Sequence, residues 1–127
     1  MPTVLLVDDE PVLVRALVQY LSGVLPAGWL VLAEPDGEAA LTMLQDDITR
    51  DIRVCIIDFH LRGISGAELI RRALPARPDL RGKLIVCSGS SFLESDPLFA
   101  ELGCERLDKP FELEQLRLAV LRAIGHG

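Results

Sequence analysis

The chain has few residues that crosslink, stack or attract polyanions. It carries one Trp, one Tyr and four Phe among 127 residues, too few for an aromatic platform that stacks bases. Its three cysteines show no C-x-x-C spacing, and Cys55 and Cys87 fall inside apolar runs. They read as small buried hydrophobes, with Cys104 in a short link, and a disulfide or thiolate-metal framework is not expected. No apolar run approaches the roughly 20 residues that span a membrane. The start, Met1-Pro2-Thr3, has no basic region or cleavage site, so cytoplasmic localisation is the expectation. The net charge is −6, and without a Lys/Arg cluster direct nucleic-acid binding is not expected. Lysine itself is scarce: eleven Arg stand against two Lys, Lys83 and Lys109. Lysine is a compact point charge where arginine is a rigid fork, so Lys109, beside a proline after a short apolar stretch, invites a functional reading.

What is present is a repeated pattern. Four apolar runs each end on a reactive side chain. Thr3-Val4-Leu5-Leu6-Val7 leads into Asp8-Asp9-Glu10, and Val54-Cys55-Ile56-Ile57 into Asp58. Lys83-Leu84-Ile85-Val86-Cys87 leads into Ser88, and Leu107-Asp108 into Lys109-Pro110-Phe111. Short Val/Ile-rich runs read as strands buried on both faces. Residues 29–34 alternate as a further strand. Helical spacing fills the gaps: Leu13, Leu17 and Leu21 after Pro11, then residues 38–46 after the Pro35-Asp36-Gly37 turn. Leu69, Ile70, Ala73 and Leu74 follow Gly63-Ile64-Ser65-Gly66, with Pro75 and Pro78 as terminators. A fourth helix is expected to begin near Pro97, with Ser95 or Asp96 as cap. The last, over residues 112–124, is expected to point Leu113, Leu116, Val120 and Ile124 inward.

Five alternations in one domain of residues 1–127 predict a flavodoxin-like, doubly wound α/β fold. Its parallel sheet has order 2-1-3-4-5 and five helices. Ligands bind at the carboxyl ends of such strands, at the switch point between the first and third. Asp8, Asp9 and Asp58 end those two strands, and Ser88 and Lys109 the next two outward.

Three carboxylates together repel. Two unit charges about 4 Å apart interact at about 4 kcal/mol for an effective dielectric near 20. Such a cluster needs a counter-charge. Lys109 supplies one, and a hard divalent cation such as Mg²⁺ the rest. A carboxylate so held can act as nucleophile toward phosphorus. Asp58, central on the edge, is assigned as phosphoryl acceptor, with Ser88 and Lys109 facing the transferred oxygens. Asp9 is expected as a direct metal ligand and Asp8 as one acting through water.

The sequence resembles the receiver domain of two-component response regulators. The match lies in Val7-Asp8-Asp9-Glu10-Pro11, in Asp58 with Leu61, Gly63 and Gly66, in Ser88-Gly89 and in Lys109-Pro110-Phe111, and covers essentially the whole chain. It implies Mg²⁺-dependent phosphotransfer from a histidine kinase or histidine phosphotransfer protein to Asp58, with the His60 backbone carbonyl completing the metal site. It also implies a switch of protein–protein contacts, and no enzymatic turnover beyond the domain's own phosphorylation and dephosphorylation. The His60 side chain, two residues past Asp58, and Ser90, two past Ser88, are candidate modulators of phosphoryl lifetime.

Two features depart from the family. Arg106 stands where an aromatic usually couples to the hydroxyl, and Pro97 shortens the fourth helix. Both belong to the output face. Leu118 and Leu121 lie off the inward stripe of the last helix, so a partner or a homodimer could use that face. Val14 and Val18 on the first helix are the expected meeting place for the phosphodonor. No output domain is expected within these residues. Rival readings are a receiver-like interaction module that is never phosphorylated, and a phosphohydrolase with an aspartyl nucleophile. The second lacks a cap, and His60 is its only candidate acid. A nucleotide site fails for want of a Gly-rich loop after the first strand.

Overall fold

The computed structural model describes residues 1–46, 51–61, 63–89 and 104–125. Five strands form one parallel sheet: β1 (Thr3–Val7), β2 (Leu30–Glu34), β3 (Ile52–Asp58), β4 (Leu84–Ser88) and β5 (Glu105–Asp108). Their order is β2-β1-β3-β4-β5, as the alternation predicts. Among the described residues four α-helices connect or follow them: α1 (Pro11–Val24), α2 (Gly37–Gln45), α3 (Gly66–Ala73) and α4 (Leu113–Gly125). A 3₁₀ turn spans Pro78–Leu80. The helix expected around Pro97, and Ser90 before it, lie outside the described residues. Among the described residues no helix is long and apolar enough to cross a membrane.

The pleat explains the two cores. Side chains alternate between faces along a strand. Leu5, Val7, Cys55, Ile57, Leu84 and Val86 turn to one face and pack with Ala40, Leu41 and Leu44 of α2 and Leu69, Ile70 and Ala73 of α3. Val4, Leu6, Val54, Ile56, Ile85 and Cys87 turn to the other, against Leu17 and Leu21 of α1 and Leu116, Ala119 and Val120 of α4. Burial on both faces is why the central strands lack a polar alternation. Edge strand β2 shows more polar access and leaves Leu30 exposed.

One inward assignment fails. Leu113 is 43% exposed, whereas Leu116, Ala119, Val120 and Ala123 form the buried stripe of α4. Leu113 opens the helix, and the small Ala119 and Ala123 let the later turns approach the sheet more closely. Cys55 and Cys87 are buried free thiols, and Cys104 is half-buried and also free.

Candidate functional site

The parallel register aligns the strand ends. Val7 pairs with Ile57, Asp58 with Cys87 and Ser88 with Asp108. The reactive residues that terminate β1, β3, β4 and β5 therefore reach one edge. Ser65 caps α3, its hydroxyl accepting from the Glu68 N–H. The second residue of that capped turn, Gly66, lies against the end of β3. A Cβ on Gly66 would stand 2.6 Å from the Asp58 carbonyl oxygen and 2.9 Å from Phe59 Cα. Only glycine permits this approach without moving the backbone that carries Asp58.

Asp8 and Asp58 are 3% and 6% exposed, which is unusual for carboxylates. Each is anchored by the backbone two residues on. The Glu10 N–H donates to Asp8 Oδ1 at 2.9 Å, and the His60 N–H to Asp58 Oδ1 at 3.1 Å. Lys109 is fixed at the end of β5 by its N–H, which donates to the Ser88 carbonyl at 2.7 Å. Its peptide bond to Pro110 is cis. The Lys109 ammonium lies 3.3 Å from Asp8 Oδ2, 3.5 Å from Asp58 Oδ2 and 3.6 Å from Glu10 Oε1. Three carboxylates thus share one ammonium.

Burial drives the Asp8 carboxyl above its ordinary value of 3.8, and the nearby Asp58 charge adds to this. The Glu10 N–H and Lys109 only partly oppose it. For Lys109, burial is the largest single influence and favours the neutral amine. The combined attraction of Asp58, Asp8 and Glu10 exceeds it, so the ammonium titrates above 10.5. Burial also pushes the Cys87 thiol up to about 12 and Cys104 to about 11, which leaves both protonated and unsuited to act as nucleophiles or metal ligands at neutral pH.

The structure brings together Asp8, Asp58 and Lys109, and buries Ser88 at the end of β4. It adds a residue that the sequence reading quoted but gave no role. Carboxylate oxygens of Asp8, Glu10 and Asp58 lie within 4.8 Å of one another. Asp9 is outside that group but lines, together with Asp8, a cleft that also includes Pro11, Val14, Arg15 and Pro35. In the acidic run Asp8-Asp9-Glu10 nothing in the sequence singles out Glu10 from Asp9.

The remaining candidates scatter. His60 is exposed, its ring edge-on to Phe59 with centroids 5.1 Å apart. Arg106 sits on β5, its Nε 3.6 Å from Asp108 Oδ1. Leu118 is exposed, and Leu121 half-buried. Val14 and Val18 are half-buried against the α1–α4 core.

Known proteins share the sequence pattern and the fold. The sequence model of the response regulator receiver domain matches residues 4–121. A cyclic di-GMP phosphodiesterase of Thermotoga maritima is 28% identical over 123 residues, covering 96% of this chain and 31% of that protein. The chain spans about a third or less of the curated relatives it matches. The signal receiver domain of an HD domain-containing protein from Pseudomonas fluorescens Pf-5 superposes with a TM-score of 0.80 at 28% identity, covering 98% of this chain and 88% of that one. The receiver domain of a sensor histidine kinase from Pseudomonas aeruginosa PAO1 has a magnesium ion coordinated in its active-site cleft. It superposes at 0.78 with 24% identity, covering 98% of each chain.

Proposed function

The chain belongs to the response regulator receiver domain family, and from that premise we propose that it accepts a phosphoryl group on Asp58 from a histidine kinase or histidine phosphotransfer protein. The observation that carries this is the Lys109 ammonium, 3.5 Å from Asp58 and 3.3 Å from Asp8, at the point where three carboxylates converge.

The donor set fits a hard divalent cation: carboxylate oxygens alone, two of them buried, with one cation where three anions need more. Asp8, Asp9, Asp58 and the His60 backbone carbonyl are the donors that the resemblance implies for Mg²⁺, and the geometry adds Glu10. When bound, the ion supplies positive charge against which a phosphoryl group can be transferred.

The protein's own residues do the rest. The His60 N–H holds one Asp58 oxygen and leaves the other, beside Lys109, free to attack phosphorus. A bond forms between Asp58 Oδ2 and phosphorus while the donor's P–N bond breaks. Its electron pair stays on the imidazole. Lys109 neutralises charge on the transferring oxygens. Ser88 would donate to a phosphoryl oxygen and so couple the modified aspartate to β4 and its neighbours, a local charge event that biases protein–protein contacts. Arg106 and the Leu118–Leu121 side of α4 are where a downstream partner, or a second copy, would meet that change.

The test is incubation with Mg²⁺ and acetyl phosphate, read by intact mass. One added phosphoryl group is expected on the wild type and none on Asp58→Asn. Absence of an adduct with acetyl phosphate and with phosphorylated donor proteins would favour an interaction module. Sustained turnover of small phosphoesters would favour a hydrolase.

A further inference from the structure

The four charged groups of the site are not held alike. Asp8 and Asp58 are buried and each accepts a backbone N–H. Lys109 is mostly covered, with its side chain 19% exposed. Glu10 alone is open to solvent, its side chain 62% exposed. It occupies the N-cap of α1 and makes no side-chain bond to the helix backbone. Pro11 follows it and offers no N–H. Its carboxylate turns to Lys109, 3.6 Å away.

We propose that Glu10 is a positioning residue that occupies Lys109 until a phosphoryl group displaces it. The inference rests on phosphoryl acceptance at Asp58. An incoming phosphoryl group needs the same ammonium. Asp8 and Asp58 are tied and buried, so the partner that gives way is the untied, exposed one. Glu10 then has two effects. Its negative charge strengthens cation binding to the acidic group, and it opposes the approach of an anionic phosphodonor. Removing that charge separates them: Mg²⁺ binds less tightly, while transfer at saturating Mg²⁺ becomes faster.

The experiment compares wild type, Glu10→Gln and Glu10→Ala. Mg²⁺ dissociation constants come from calorimetry, and initial rates of phosphorylation by acetyl phosphate from intact mass at saturating Mg²⁺. Both variants are expected to raise the Mg²⁺ dissociation constant and the phosphorylation rate by roughly two- to fivefold, the range that an exposed ion pair supports. The two should agree, because the charge that both remove, and not the bulk that only Glu10→Ala removes, carries the effect. Both differences should shrink in high salt as screening shortens the interaction. Unchanged affinity and rate in both variants would overturn the inference while leaving Asp58 as acceptor. So would a slower rate at saturating Mg²⁺. A wild type that takes no phosphoryl group overturns the parent reading and this one with it.

Discussion

Single residues at the sheet edge divide by how firmly the backbone holds them. His60 shows this best, because its two halves differ. Its N–H anchors Asp58, so the backbone contribution survives any substitution other than proline. Its imidazole is exposed and touches Phe59 edge-on, free to overhang the neighbouring aspartate. We expect His60→Ala to change the rate at which phosphoryl is lost from Asp58 by more than twofold, followed by decay of the intact-mass adduct after the donor is removed. An identical decay would make the ring a bystander. The same contrast explains what could be read from the sequence at this scale. Asp8, Asp58, Ser88 and Lys109 were legible because each closes an apolar run, and parallel strands deliver their carboxyl ends to one place. Glu10 was obscured by its neighbour. In Asp8-Asp9-Glu10 all three are acidic, so residue type alone does not mark the one whose carboxylate joins those of Asp8 and Asp58.

The elements among the described residues were legible to within a residue or two, and the errors have local causes. Strand β3 begins at Ile52, ahead of the apolar run that opens at Val54, because Arg53 exposes its side chain and pairs with Asp51 while Ile52 is fully buried. What the pattern could not show is how the elements are tied together. Arg77 lies between Pro75 and Pro78, and in sequence it is part of a helix stop. In the fold its guanidinium donates to the carbonyls of Leu44, near the end of α2, and Ile52, at the start of β3, and pairs with Asp79. Its side chain is 14% exposed, and the planar fork serves several acceptors at once. Arg77→Ala strands partly buried carbonyls, which costs about 1–3 kcal/mol. Urea unfolding should show a lower midpoint at unchanged slope. Arg77→Lys should recover less than half, because one ammonium cannot replace a fork. A midpoint within error of wild type for Arg77→Ala would remove the tie from the account. Lys83, the other lysine, plays a similar part: its ammonium donates to the Ala123 carbonyl at 2.7 Å, in the last turn of α4, where a cation is favoured. The scarcity of lysine drew attention to Lys109 alone, and the tie made by Lys83 shows only in the fold.

Across the whole molecule, stability and the proposed cation binding are joined through the same buried charge. The Asp8 carboxyl titrates above 3.8 in the fold, chiefly because it is buried. As pH rises, the unfolded chain releases this proton first. The stability that protonated Asp8 lends the fold is therefore fully present below about 3.8 and lost as pH climbs through the raised value. Lys109, titrating above 10.5, contributes in the same sense at the alkaline end. Its share is present below 10.5 and lost as pH rises past the folded value. Between these limits the metal-free domain carries an ionised, buried Asp8 at a cost. A ligand that binds only the fold adds about 2.7 kcal/mol at a hundredfold excess over its dissociation constant, and Mg²⁺ must compete with the Asp8 proton to do so. The Mg²⁺-dependent rise in Tm should therefore be largest near neutral pH and shrink as pH falls toward 3.8, with thermal unfolding measured with Mg²⁺ and with chelator across that range. Asp8→Asn removes both the proton and the cost. It should raise the Tm of the metal-free domain at neutral pH, provided its amide keeps the Glu10 N–H bond, and reduce the Mg²⁺ increment. An increment of equal size at pH 4 and pH 7, or a wild-type increment in Asp8→Asn, would show that the cation is held elsewhere than at the ends of β1 and β3.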